Sequence, residues 1–123
     1  MKTTILIVDD ISSLRTELRV LLEPHFEVVG EAQDGAQAVE LAKQFKPKIV
    51  LMDVVMPKMS GIEATKEILS KVEGPPKVVM LSGLTDQIVV AQALSAGAED
   101  YLFKPVDAKR LVEVLNSVLN ERS

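Results

Sequence analysis

A chain of 123 residues, 47% apolar and 26% charged, is sized for one domain over residues 1–123 and can bury a core unaided, which excludes a disordered chain. It contains no Cys, so disulfides and thiolate metal sites are excluded too. A formal net charge of −4 without a basic stripe argues against a nucleic-acid partner, because such binding requires neutralising phosphates.

Along the chain, strand-like runs alternate with helix-like periods. Ile5–Val8 is a short continuous β-branched and Leu run, the pattern of a buried strand. Asp9 and Asp10 end it at once. It is too short for a secretory signal and far too short for a membrane span, so a cytoplasmic protein without membrane insertion is expected. Leu14, Leu18, Leu21 and Leu22 recur at helical spacing, and Pro24 stops that helix. Phe26–Ala32 reads as the second strand. Asp34 is placed to cap a helix carrying Ala38, Val39, Leu41, Ala42 and Phe45, closed by Pro47.

Ile49–Met52 is the third strand. Ser60 and Glu63 form an S-x-x-E capping box for a helix with Ile62, Ile68 and Leu69 as apolar positions. Val78–Leu81 is the fourth strand, followed by a helix from about Thr85 to Ser95 that ends at Gly97. Tyr101–Phe103 is a short fifth strand. Asp107 then caps a last helix with Leu111, Val114, Leu115 and Val118, beyond which stand only Glu121, Arg122 and Ser123. Strict alternation predicts an α/β fold: a doubly wound, five-stranded parallel sheet with five helices and right-handed crossovers. His25 reads as a surface residue and the Met residues as core fillers. Gly30 and Gly35 have the outer spacing of a phosphate loop, but Ala36 stands where its Lys is required.

Three carboxylates directly follow apolar strands: Asp9 and Asp10 after the first, Asp53 after the third. In an open parallel sheet, ligands bind outside the carboxyl ends of the strands, where the strand order reverses. With the order 2-1-3-4-5, strands one and three are neighbours there, and all three acids share one crevice. Helix capping is the better account of one such acid. Three crowded carboxylates instead call for a cation, and oxygen ligands suit Mg2+ better than Zn2+. Ser82 and Lys104 follow the fourth and fifth strands and fall on the same rim. Lys104 precedes Pro105, and a cis bond there aims the ammonium inward.

VDD at Val8–Asp10, MDVVMPKMSG at Met52–Gly61, LSG at Leu81–Gly83 and AGAEDYLFKP at Ala96–Pro105, in this order, resemble the receiver domain of two-component response regulators. The order 2-1-3-4-5 is that of this CheY-like family and of flavodoxin, and the resemblance implies it here. The resemblance implies that Asp53 is the phosphoacceptor. It implies Mg2+ bound by Asp10 and Asp53, by the backbone carbonyl of Val55, and by Asp9 largely through water. Ser82 and Lys104 then bind phosphoryl oxygens. Tyr101 is the switch aromatic that moves inward on activation.

The resemblance further implies a histidine kinase or phosphotransfer protein as donor. A downstream protein would bind the face of the fourth helix, fifth strand and fifth helix (α4-β5-α5), on which Val90 and Leu94 make an apolar stripe near Tyr101. The chain is expected to be a monomer or weak dimer that catalyses only its own phosphorylation and dephosphorylation. Val55 and Leu84 are apolar where relatives place groups that orient water, which predicts slow loss of the phosphoryl group.

A stand-alone receiver competes with a receiver cut from a longer regulator whose output domain binds DNA or is an enzyme. A metal-dependent aspartyl-phosphate phosphatase is a third reading. It is disfavoured by adjacent acids in place of D-x-D and by the lack of room for a cap. A flavin module is a fourth, disfavoured by the two acids after the first strand and by the lack of Trp. A receiver that binds partners without ever being phosphorylated is disfavoured by its complete acid, Ser and Lys set.

Overall fold

A computed structural model describes residues 2–120; Met1 and residues 121–123 lie outside the described residues. The elements alternate strictly: β1 (Thr4–Val8), α1 (Ser12–Leu22), β2 (Glu27–Ala32), α2 (Gly35–Phe45), β3 (Ile49–Met52), α3 (Gly61–Lys71), β4 (Lys77–Ser82), α4 (Gln87–Ser95), β5 (Asp100–Phe103) and α5 (Ala108–Leu119). All strand pairs are parallel, in the order β2-β1-β3-β4-β5. This is the predicted doubly wound sheet. Among the described residues no helix is long and apolar enough to cross a membrane.

The continuous apolar runs follow from burial of the sheet on both faces. Alternate residues serve opposite sides. Leu6, Val8, Val50, Met52, Val78, Met80 and Tyr101 pack with α2, α3 and α4. Ile5, Ile7, Ile49, Leu51, Val79, Leu81 and Leu102 pack with α1 and α5.

The helix ends explain where the chain turns. Asp34 accepts from the Gln37 N–H at 2.8 Å and Asp107 from the Arg110 N–H at 3.1 Å, as their positions predict. Ser60 accepts from the Glu63 N–H at 3.1 Å, which is the forward half of the capping box. α4 begins at Gln87 rather than near Thr85, because Asp86 takes the cap and accepts from the Ile88 N–H at 2.8 Å. Its other end is a left-handed glycine turn. Gly97 has φ +115°, its N–H donates to the Leu94 carbonyl, and the Ala98 N–H donates to that of Ala93.

Candidate functional site

Strand register builds the crevice. Val8 pairs with Met52, so the next residues, Asp9 and Asp53, leave adjacent strands side by side. The Asp53 N–H donates to the Val8 carbonyl and the Asp9 N–H to that of Ala32, both at 3.0 Å. Carboxylate oxygens of Asp9, Asp10 and Asp53 lie within 4.8 Å of one another. Asp9 and Asp53 are buried, whereas Asp10 is exposed.

Lys104 closes the crevice from β5. Ser82 pairs with Phe103 in the β4–β5 ladder, and the Lys104 N–H donates to the Ser82 carbonyl at 2.9 Å. The Lys104–Pro105 bond is cis. The Lys104 ammonium donates to Asp9 Oδ2 at 2.7 Å and to Asp53 Oδ2 at 3.3 Å. Both oxygens of Asp9 are therefore engaged, since its Oδ1 accepts from the Ile11 N–H at 2.9 Å. That bond closes a two-residue turn before α1, whose N-cap Ile11 makes no side-chain cap, so Asp9 does not cap the helix. Asp53 Oδ1 accepts from the Val54 N–H at 2.8 Å.

The charges perturb one another. Burial pushes the Asp53 carboxyl above its usual range, and the Asp9 charge adds to this; Lys104 and the Val54 N–H pull the other way. Burial works against the Lys104 charge, but the hydrogen bond to Asp9 and the charges of Asp53 and Asp9 outweigh it. The ammonium is held above its ordinary value.

The predicted switch residues Ser82 and Tyr101 meet at one residue, Leu84. Ser82 is 1% exposed, and its hydroxyl accepts from the Leu84 N–H at 3.2 Å, within its own turn. The Leu84 carbonyl accepts from the Tyr101 hydroxyl at 2.8 Å. The Tyr101 ring, expected to move inward on activation, is already inside, at 8% exposure. Its apolar part packs in the same cluster as Val89, Val90 and Ala93, while its hydroxyl is satisfied by Leu84. Val90 is half-buried on that cluster, and Leu94 is exposed. Val55 and Leu84 are both exposed at the rim. A side chain added at Gly83 meets nothing within 4 Å, so the loop after Ser82 is open.

Sequence reasoning missed two supports. A Cβ at Gly61 lies 1.9 Å from the Asp53 carbonyl oxygen, and one at Gly35 lies 2.4 Å from that of Met59. Only glycine lets α3 and α2 approach the loop after β3 this closely. A glycine just after the capping Ser60, where it weakens a helix, was the available signal. The other support is Arg15, whose Nη1 donates to the Asp9 carbonyl at 2.7 Å and whose Nε donates to Glu31 at 3.1 Å. Its partners are 6 and 16 residues away, so no local pattern marks it.

The geometry has close counterparts. Residues 5–116 match the family model described as the response regulator receiver domain. The chain is 43% identical to the chemotaxis protein CheY of Bacillus subtilis, covering 98% of this chain and 100% of that protein. It is 40% identical to the transcriptional regulatory protein DegU of Brevibacillus brevis, covering 95% of this chain and 50% of that protein. The response regulator domain of Thermotoga maritima CheB superposes with a TM-score of 0.91 at 34% identity, over 100% of both chains. A chain of the CheX–CheY–BeF3–Mg2+ complex from Borrelia burgdorferi gives 0.90 at 30% identity, over 97% of this chain and 90% of that one. The family match over residues 5–116 and the near-full-length identity to CheY proteins agree with the strand order, and the chain belongs to the CheY-like response regulator receivers of two-component signalling systems.

Proposed function

We propose that this chain, as one receiver domain, accepts a phosphoryl group on Asp53 from a histidine kinase or phosphotransfer protein, with Mg2+ bound, and passes the signal on through the α4-β5-α5 face. The observation that carries the reading is Lys104 bridging Asp9 and Asp53 beside an Asp10 carboxylate with no hydrogen bond or ion pair among the described residues. Receivers as a family are signalling proteins rather than conventional enzymes. The phosphatase and flavin readings are therefore dropped.

The donor set fits a hard divalent cation, since the cluster offers carboxylate oxygens only. Asp10 and Asp53 would hold Mg2+, together with the Val55 carbonyl. Both oxygens of Asp9 are engaged, which supports a role through water. Mg2+, when bound, offsets the negative charge of acceptor and donor. An Asp53 carboxylate oxygen attacks phosphorus, forming the O–P bond as the donor's P–N bond breaks and its electron pair returns to the imidazole. The Lys104 ammonium turns toward the oxygens of the transferring group.

The Ser82 hydroxyl accepts from the Leu84 N–H and keeps its own O–H to donate to a phosphoryl oxygen, so turning it toward Asp53 would shift or break the bond to Leu84. Because the Leu84 carbonyl holds the Tyr101 hydroxyl, a shift of Leu84 reaches the output face through that one residue. Full-length coverage of the CheY relative supports a stand-alone receiver, and with it the expected cytoplasmic setting. Half coverage of DegU supports the second reading, the receiver part of a longer regulator. The test is incubation with acetyl phosphate and Mg2+, then mass measurement. A phosphoryl-sized gain in the wild type that disappears in Asp53→Asn is expected. A gain that persists in Asp53→Asn overturns the assignment.

A further inference from the structure

We propose that Arg15 is a positioning residue for the cation site: clamped by Glu31, its guanidinium fixes the peptide between Asp9 and Asp10 and so presents the Asp10 carboxylate to the ion. The inference rests on the Mg2+ reading above and extends it to a residue outside the acid cluster.

Asp10 is exposed, and its carboxylate takes part in no hydrogen bond or ion pair among the described residues. Its placement therefore depends on the backbone. The Asp9 carbonyl and the Asp10 N–H share one rigid peptide plane, so fixing that oxygen fixes the direction in which Asp10 leaves the strand. Arg15 Nη1 holds the oxygen at 2.7 Å. The same guanidinium is held on its other side by Glu31 Oε1 at 3.1 Å, and Glu31 Oε2 accepts from Arg19 Nε at 2.7 Å. The Arg15 side chain is only 15% exposed, and a planar fork gripped at two points has little freedom left. Upstream, the Asp9 N–H and Oδ1 are already tied to Ala32 and Ile11. Arg15 supplies the remaining restraint on the turn.

Charge and positioning predict opposite outcomes. A guanidinium beside a cation site repels the ion, so by electrostatics alone its removal tightens Mg2+ binding. If it positions Asp10, its removal weakens binding.

The experiment is Mg2+ titration of the full chain at constant ionic strength, followed by the amide NMR shifts of the Asp10 and Asp53 region. Arg15→Gln is expected to bind Mg2+ about tenfold more weakly, the lower range for losing a group that orients a metal ligand. Glu31→Gln is expected to fall between that and the wild type, Arg15→Lys to recover part of the loss, and Lys71→Gln, which loses an ion pair at the far end of α3, to match the wild type. Phosphorylation of Arg15→Gln by acetyl phosphate is expected to recover at saturating Mg2+. An Arg15→Gln protein that melts lower yet binds Mg2+ as well as the wild type, or better, overturns the proposal. If that variant does not fold, unchanged Mg2+ affinity in Glu31→Gln overturns it instead. A wild type that binds no Mg2+ removes the underlying reading along with it, whereas normal wild-type binding with unaffected variants removes only the role of Arg15.

Discussion

Replacing Asp53 by Asn is expected to stabilise the metal-free protein, and the balance of charges says why. Oxygens of Asp9, Asp10 and Asp53 lie within 4.8 Å of one another. At an effective dielectric of about 20, two unit charges at that distance repel by roughly 3.5 kcal/mol. Asp10 is exposed, so its share falls toward roughly 1 kcal/mol, the value in water. Lys104, 3.3 Å from Asp53, returns roughly 5 kcal/mol at the same dielectric. Attraction and repulsion nearly cancel at Asp53, and the withdrawal of its carboxylate from water decides the sign. Burial is accordingly the largest cause holding this carboxyl above the ordinary 3.8.

Because the folded value lies above the unfolded one, the group's contribution to stability is complete below pH 3.8. It is lost as pH rises through the folded value. At neutral pH the ionised Asp53 works against the fold. Asn keeps an acceptor for the Val54 N–H and removes the charge. The expected gain is about 1–2 kcal/mol at pH 7, or about 3–6 °C in Tm. Thermal unfolding at low salt, in EDTA and then in Mg2+, measures it. Mg2+ should stabilise the wild type more than Asp53→Asn. If Asp53→Asn melts below the wild type in EDTA, or if Mg2+ raises both equally, the charge argument is wrong.

Two further outcomes follow from the geometry. Val55 is 60% exposed at the rim of the crevice and cannot orient water, so Val55→Asn should speed loss of the phosphoryl group several-fold; an unchanged rate by mass measurement removes that argument. Hydrogen bonding to Arg19, against burial and with help from Arg15, holds the Glu31 carboxyl below its ordinary 4.5. Its contribution to stability is therefore present above pH 4.5 and lost as pH falls through the folded value. Urea unfolding should show Glu31→Gln weaker than the wild type by about 1 kcal/mol at neutral pH, with the two curves converging in acid; a gap that stays constant in acid contradicts this.

Much of this protein is legible in one dimension because the relevant physics is local. A strand buried on both faces must be apolar throughout, so Ile5–Val8 and Ile49–Met52 announce themselves, and polar residues at their ends mark the edge where ligands bind. Asp34, Ser60 and Asp107 cap helices by bonds that span three residues. The acid set, Ser82 and Lys104 were nameable for the same reason, each standing directly at a strand end. Tertiary structure alone decided what required distance across the chain. Lys104 meets Asp9 over 95 residues and Asp53 over 51. Tyr101 proved to be inside and joined to Leu84, because burial of a ring depends on what the neighbouring helix leaves open. The close approach at Gly61 and the grip of Arg15 each meet a backbone oxygen, which every residue carries, so the sequence names at most one partner of each contact and not the contact itself.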